Sequence, residues 1–148
     1  MCFQVYLGST QACPEIPYTD REDHIFVSRQ PEDSWYLANL SPERVHRYRV
    51  GVMSCGCGLP YDFPVGQQDE RTQTSHHQLI EYLQEYLQKV ESVELFTSWS
   101  GQEALPVESR RWVTLEDLLT PEFYFDVGQL TVVYRDQASL QAARENSV

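Results

Sequence analysis

The sequence contains little positive charge. Lys89 is its only lysine, and with the arginines it brings the basic residues to 11 against 22 acidic ones, for a net charge of −11. Proteins that bind nucleic acid or an anionic membrane surface need clustered positive charge, so we predict neither as a partner. An acidic chain permits a basic partner, such as another protein, and the spread of its acids along the sequence is typical of a solvated surface.

Long apolar runs are also absent, and cysteines are few. No run approaches the roughly 20 apolar residues that a membrane-spanning helix needs. The segment Met1–Leu7 lacks the basic start and the continuous apolar stretch of a secretory signal. We therefore expect a cytoplasmic protein, in which the four cysteines are free thiols, metal ligands or redox groups, not structural disulfides.

The length and composition predict one globular domain. A chain of 148 residues, of which 41% are hydrophobic, can bury a sizeable core without covalent cross-links. We find neither an internal repeat nor a low-complexity segment, and we expect the polar tail from about residue 136 to fray.

One amphipathic helix stands out, and we place it at about residues 76–91. Its apolar positions fall on one side of a helical wheel: Leu79, Ile80, Leu83, Tyr86, Leu87 and Val90. The spacing of Ser75 and Gln78 is that of a capping box and sets the predicted start. A shorter helix is predicted at about residues 115–120, with Thr114 as its cap and Pro121 as its stop.

Alternating apolar and polar residues predict several short strands. The segments are 2–9, 24–28, 48–54, 93–98, 111–114, 123–125 and 130–135. Two helices among so many short strands predict an α+β fold, in which a mostly antiparallel sheet packs against the helices on one face.

The most compact chemical feature is the run Cys55-Gly56-Cys57-Gly58, which follows the strand predicted at 48–54. Its glycines let the backbone adopt positive φ, or let another segment approach the main chain closely. Alternation along the strand puts both thiols on the side of Arg49. We therefore expect the two sulfurs on a turn at the end of a strand.

Three interpretations of these thiols are open. In the first, Cys55 and Cys57 bind zinc with further ligands, of which Cys2 and then Cys13 are the best candidates. In the second, one thiol of the pair is a nucleophile or redox group of an oxidoreductase or transferase, activated by positive charge such as that of Arg49. In the third, the cysteines are small apolar groups in the core. We favour a small non-enzymatic binding or accessory protein with the first kind of site, and predict no catalytic residues.

The histidines and loop aromatics offer weaker signals. His76 and His77 lie in the predicted first turn of the long helix and diverge by about 100°, which favours a surface pair at the capping turn over a pair of metal ligands. Several aromatics lie in or beside predicted loops, and exposed together they would make an acidic protein-interaction module: Trp35, Tyr36, Tyr61, Phe63 and Trp99.

Segments spread over most of the chain also resemble a family of small bacterial proteins of unknown function. They are Met1-Cys2-Phe3, Cys55-Gly56-Cys57-Gly58, Val93-Glu94-Leu95-Phe96-Thr97-Ser98-Trp99, Leu115-Glu116-Asp117-Leu118-Leu119 and Phe123-Tyr124-Phe125. The resemblance implies a bacterial, cytoplasmic setting. It implies no activity, cofactor or site residue.

Overall fold

The structure is a computed structural model that describes residues 2–31, 33–53 and 56–146. It contains one sheet with three helices. The strands are β1 (Phe3–Ser9), β2 (Ile25–Arg29), β3 (His46–Val52), β4 (Ser92–Trp99), β5 (Ser109–Thr114) and β6 (Gln129–Tyr134), and the helices are α1 (Glu70–Tyr86), α2 (Leu115–Leu118) and α3 (Gln137–Asn146).

The sheet is mixed and has the strand order β2-β3-β1-β4-β6-β5. Neighbouring strands are antiparallel except β5 and β6, which run parallel and are joined through α2. The predicted α+β class with a mostly antiparallel sheet is therefore confirmed. The parallel pair follows from its connection, because parallel neighbours need a crossover that returns the chain to the same end of the sheet.

Strand β1 lies in the middle of the sheet, and all seven of its residues are buried. Its apolar side chains Phe3, Val5 and Leu7 belong to the main core together with the apolar side of α1. On the opposite face, Tyr6 packs in a smaller cluster with Leu37 of the segment before β3. Both faces of β1 are covered, so its polar residues are buried as well.

Helix α1 begins earlier than the sequence predicted, and it ends at Tyr86 instead of near residue 91. Its N-cap is Asp69, whose side chain accepts a hydrogen bond from the backbone N–H of Thr72. Ser75 lies inside the helix, where its hydroxyl donates to the carbonyl of Arg71 at 3.0 Å, so the capping box predicted there is wrong. The six predicted core positions are all buried. The sequence did not reveal this start because the first turns of α1 contain only polar residues, so no apolar side chains recur there at helical spacing.

The strand predicted at 123–125 is also wrong. Phe125 makes a single parallel bridge with Tyr61, and the segment belongs to the crossover between β5 and β6. Its alternating aromatics resemble a strand because Phe123 and Phe125 are both buried, although in an irregular connection.

The segment after residue 136 forms α3, which packs on the second face of the sheet. Leu140 is buried with Val132 and Tyr134 of β6. Asp136 starts the helix by accepting a hydrogen bond from the backbone N–H of Ser139 at 2.8 Å. None of the described helices combines the length and apolar character that crossing a membrane requires.

Candidate functional site

A one-turn 3-10 helix, Gly56–Gly58, carries Cys57 between the end of β3 and the start of β1. A Cβ added at Gly58 would lie 2.5 Å from Cβ of Val52, and one at Gly56 would lie 3.0 Å from the carbonyl oxygen of Phe3. A side chain at Gly58 would therefore force Val52 to shift, and one at Gly56 would crowd the backbone of Phe3. The sequence offered two reasons for the glycines, and the structure shows the close approach. The turn packs directly on β1 at Gly56 and on β3 at Gly58.

The thiol of Cys57 is exposed at this turn. Its Sγ accepts a hydrogen bond from the backbone N–H of Phe3 at 3.4 Å. The residue also lines an open cleft of about 320 Å³, whose walls come from the end of β3, the turn and the first turn of α1: Glu22, Val52, Met53, Cys57, Gly58, Asp69, Arg71 and Thr72. The cleft is large enough for a small ligand.

Charged side chains from two segments lie in the same cleft. Arg71 in the first turn of α1 forms an ion pair with Glu22, and both side chains are more than half exposed. Asp69 accepts a hydrogen bond from the backbone N–H of Thr72, which lowers the pKa of its carboxyl. The lining therefore carries two carboxylates and one guanidinium.

Arg49, the cation that the strand pattern placed beside the thiols, is not among the residues of this cleft. Its guanidinium lies 5.2 Å from the centre of the Phe26 ring. Met53 has a positive φ of 57°, which ends the alternation of β3 before the cysteines. The cation in the wall of the Cys57 cleft is Arg71, and the part of the prediction that concerns Cys55 lies outside the described residues.

Of the other predicted zinc ligands, Cys2 lies next to the residue that bonds to the sulfur of Cys57. Cys2 is exposed and immediately precedes Phe3, whose N–H bonds to the sulfur of Cys57. Its carbonyl accepts a hydrogen bond from the backbone N–H of Ser100 at 2.7 Å, which fixes the start of β1. Cys55 lies outside the described residues.

Cys13 lies at the other end of β1. Its backbone N–H donates to the hydroxyl of Tyr48 at 2.8 Å, and Tyr48 stands opposite Leu7 in the sheet. Phe3 and Leu7 are four residues apart along an extended strand, or about 13 Å. Two thiolates on one zinc ion lie within about 4 Å of each other, because each Zn–S bond is only about 2.3 Å. Cys13 and Cys57 are therefore too far apart to share an ion.

The Cys13 thiol is buried among hydroxyl groups. Burial raises its pKa, and bonding to Tyr86, Tyr82 and Ser9 offsets only part of that effect. The Tyr86 hydroxyl donates to the carbonyl of Gln11 and in turn accepts from Ser9 at 2.9 Å. A neutral, enclosed thiol of this kind is a poor nucleophile and a poor metal ligand.

Among residues 2–31, 33–53 and 56–146, no three histidine, cysteine, aspartate or glutamate side chains group closely enough to hold a metal ion. A metal site at the turn would therefore need Cys55 or a rearrangement of the described side chains.

His76 and His77 lie in the second turn of α1, not in its first turn as predicted. His76 is 3% exposed, stacks on Phe123 and donates from Nε2 to the carbonyl of Leu118 at 2.7 Å. Burial lowers the pKa of its imidazole. His77 is exposed, so the two side chains diverge as predicted. The predicted surface pair is wrong for His76, which joins α1 to α2 as a core residue.

The loop aromatics do not form one exposed surface. Tyr61 stacks on Phe3 at 4.6 Å between ring centres, and Trp99 packs edge-on against both rings. Phe63 is exposed, and the side chain of Trp35 lies outside the part of the structure described. Trp112 of β5 was not among the predicted aromatics, although it is half exposed.

Comparison with known proteins gave no relatives: no family model, no curated protein and no solved structure matches this chain.

Proposed function

We propose that the chain is a small cytoplasmic binding or accessory protein that works through the thiol of Cys57. The observation that supports this is the position of Sγ, which is exposed, accepts an N–H bond from Phe3 and lies beside a cleft with Arg71 in its wall. Reactive thiols occupy partly exposed sites near positive charge or a helix N-terminus, whereas buried thiols are inert.

The reaction that fits this site is thiol–disulfide exchange with a small disulfide. The Cys57 thiolate attacks one sulfur of the disulfide, the S–S bond breaks, and the second sulfur leaves as a thiolate with the bonding electron pair. The product is a mixed disulfide on Cys57, and the small disulfide is itself the oxidant. The cleft holds the group that stays attached. Because Arg71 is paired with Glu22 and Asp69 adds a second carboxylate, a neutral or cationic group fits this lining.

Zinc binding is the second candidate. The Phe3–Cys57 bond brings Cys2 and the turn to the same end of β1, and Cys55 is one residue away along the chain. The cleft also contributes the carboxylates of Glu22 and Asp69, so its lining is net negative and suits a cation. This ligand set leaves out Cys13, the fourth ligand in the sequence prediction. We also propose a bacterial origin for the protein, which is supported only by the resemblance of its sequence segments to the bacterial family.

The test follows the release of a coloured thiolate from an aromatic disulfide reagent, in the native protein with and without a chelator. In a background without the exposed Cys2 and without Cys55, Cys57→Ser should remove the fast phase, whereas Cys13→Ser is the matched control and should leave it unchanged. A fast phase that survives in Cys57→Ser would show that Cys57 is not the working thiol. Stoichiometric zinc in freshly purified protein, with thiols that react only after chelation, would favour the metal site instead.

A further inference from the structure

Two exposed thiols lie at the same end of β1. Cys2 and Cys57 are the exposed cysteines among the described residues. The turn that carries Cys57 packs on the first residues of the strand. A Cβ added at Gly56 would lie 3.0 Å from the carbonyl oxygen of Phe3 and 3.2 Å from the backbone nitrogen of Val5. This packing holds the sulfur of Cys57 beside the start of β1.

One hydrogen bond sets the distance between the two cysteines. The backbone N–H of Phe3 donates to Sγ of Cys57 at 3.4 Å, and Cys2 is the residue on the other side of that peptide bond. In a planar trans peptide, the preceding Cα lies on the same side of the C–N bond as the N–H hydrogen. Standard bond lengths then place Cα of Cys2 about 3–5 Å from Sγ of Cys57.

This separation is that of a disulfide pair. In a relaxed disulfide the two sulfurs are about 2.05 Å apart, so each Cα lies about 3.5–4.5 Å from the sulfur of the other cysteine. A bond between Cys2 and Cys57 therefore requires rotation of side chains and little movement of the backbone. Because both thiols are exposed, a small reagent can also reach them.

The other two cysteines are poorer partners for Cys57. Cys13 is buried at the opposite end of β1, and the length of the strand separates it from the turn. A bridge between Cys55 and Cys57 would close a ring of only three residues, which is far from relaxed disulfide geometry. Cys2 is therefore the thiol that can best react with a group bound to Cys57.

We propose that Cys2 is the resolving thiol of the exchange reaction at Cys57. The proposal rests on the proposed function, in which a small disulfide leaves one half attached to Cys57. The Cys2 thiolate attacks Sγ of Cys57, the mixed disulfide breaks, and the attached group leaves as a thiolate with the bonding electron pair. The two protein thiols are oxidised to a Cys2–Cys57 disulfide and release two protons, while the small disulfide is reduced to two thiolates.

The test counts the coloured thiolates that each molecule of the aromatic disulfide reagent releases. The protein carries Cys13→Ser and Cys55→Ser, is kept in chelator and is present in excess over the reagent. Each reagent molecule should release two thiolates and leave a protein lighter by two hydrogens, with Cys2 and Cys57 linked in the peptide map. Adding Cys2→Ser should reduce the yield to one thiolate and leave the aryl group on Cys57.

Ser100→Cys, added to the Cys2→Ser protein, is the matched control. Ser100 is exposed and bonds to the carbonyl of Cys2 from the β4 side of β1, away from the turn. A thiol there should release the second thiolate at least about tenfold more slowly than Cys2 does, because its position hinders contact with Cys57.

Three results would overturn the role of Cys2. They are one thiolate per reagent molecule with Cys2 present, equal second-step rates in the Ser100→Cys control, and an aryl group trapped first on Cys2 after an early acid quench. Failure of the proposed function is a separate result, because Cys57 would then release no fast thiolate even in the Cys2→Ser protein.

Discussion

The two ends of β1 hold cysteines in opposite environments. Cys57 is exposed beside a charged cleft, whereas Cys13 is buried beneath tyrosine hydroxyls. Helix α1 runs between them, since its first turn lines the Cys57 cleft and Tyr86 in its last turn reaches the Cys13 cluster. A helix of 17 residues spans about 25 Å. The comparison teaches that the same side chain becomes a surface group or a core group according to what covers it.

The largest expected effect is a difference in thiol reactivity. In variants that keep a single cysteine, Cys57 should react with an alkylating reagent at least about a hundredfold faster than Cys13, because Cys13 reacts only when the structure opens. Rates measured by mass spectrometry at one pH would test this. The Cys13 rate should rise with denaturant along the unfolding curve, and similar native rates for the two thiols would contradict the comparison.

A change at Gly58 should disturb only the Cys57 end. In Gly58→Ala the added methyl group collides with Val52, so we expect the free energy of unfolding to fall by about 3 kcal/mol. Gly101→Ala is the matched control, because its Cβ meets nothing within 4 Å and only the positive φ of 90° is strained, at about 1 kcal/mol. Equal losses in denaturant titrations would show that the close approach at Gly58 does not limit stability.

Tyr86→Phe should disturb only the Cys13 end. It removes a hydroxyl that bonds to the carbonyl of Gln11 and to Ser9, for a loss of about 1–2 kcal/mol. Alkylation of Cys13 should accelerate, while that of Cys57 should not change. Tyr18→Phe, at an exposed ring, is the control and should have no measurable effect on either rate.

The smallest expected effect is a loss of stability at low pH, which arises from His76 in α1. Burial lowers the pKa of His76, and neighbouring His77 lowers it further, although the bond to Leu118 acts the other way. The unfolded chain therefore binds a proton that the folded one does not. Stability is complete above the ordinary histidine pKa of 6.5 and should fall as the pH drops below it, by at most about 1.4 kcal/mol per pH unit.

Substituting the two histidines in turn separates the contribution of His76 to the pH dependence of stability from the contributions of the aspartates and glutamates. The fall between pH 6.5 and 5 should be much smaller in His76→Phe and only slightly smaller in His77→Gln, because burial lowers the pKa of His76 more than His77 does; denaturant titration at each pH would measure both. An identical pH dependence in both variants would show that His76 does not contribute the slope.

Much of the fold was predictable, because it follows from local periodicity. The helical spacing of Leu79 to Val90 identified the core side of α1, and alternation located the six strands. The start of α1 was missed because Glu70 to Ser75 face solvent or other polar groups and show no apolar period. The strand predicted at 123–125 failed because a parallel pair places this segment in a crossover.

The site was predictable only in part. The glycines on either side of Cys57 indicated either positive φ or a close approach, and the structure shows the close approach and the strands that make it. Arg71 and Asp69 could not be predicted as neighbours, because they enter the cleft only through the packing of α1 against the sheet. The nearness of Cys2 to Cys57 depends on how the turn packs against β1, which periodicity does not contain.

The sequence by itself determined the elements, the acidic charge and the single place where thiols and glycines alternate, because these depend on neighbours within a few residues. The tertiary structure decided which of the described cysteines are exposed, which cation lies in the cleft beside Cys57 and which strands lie at the edges of the sheet. Each of those depends on contacts between segments that are far apart along the chain, such as Phe3 with Cys57 and Cys13 with Tyr48.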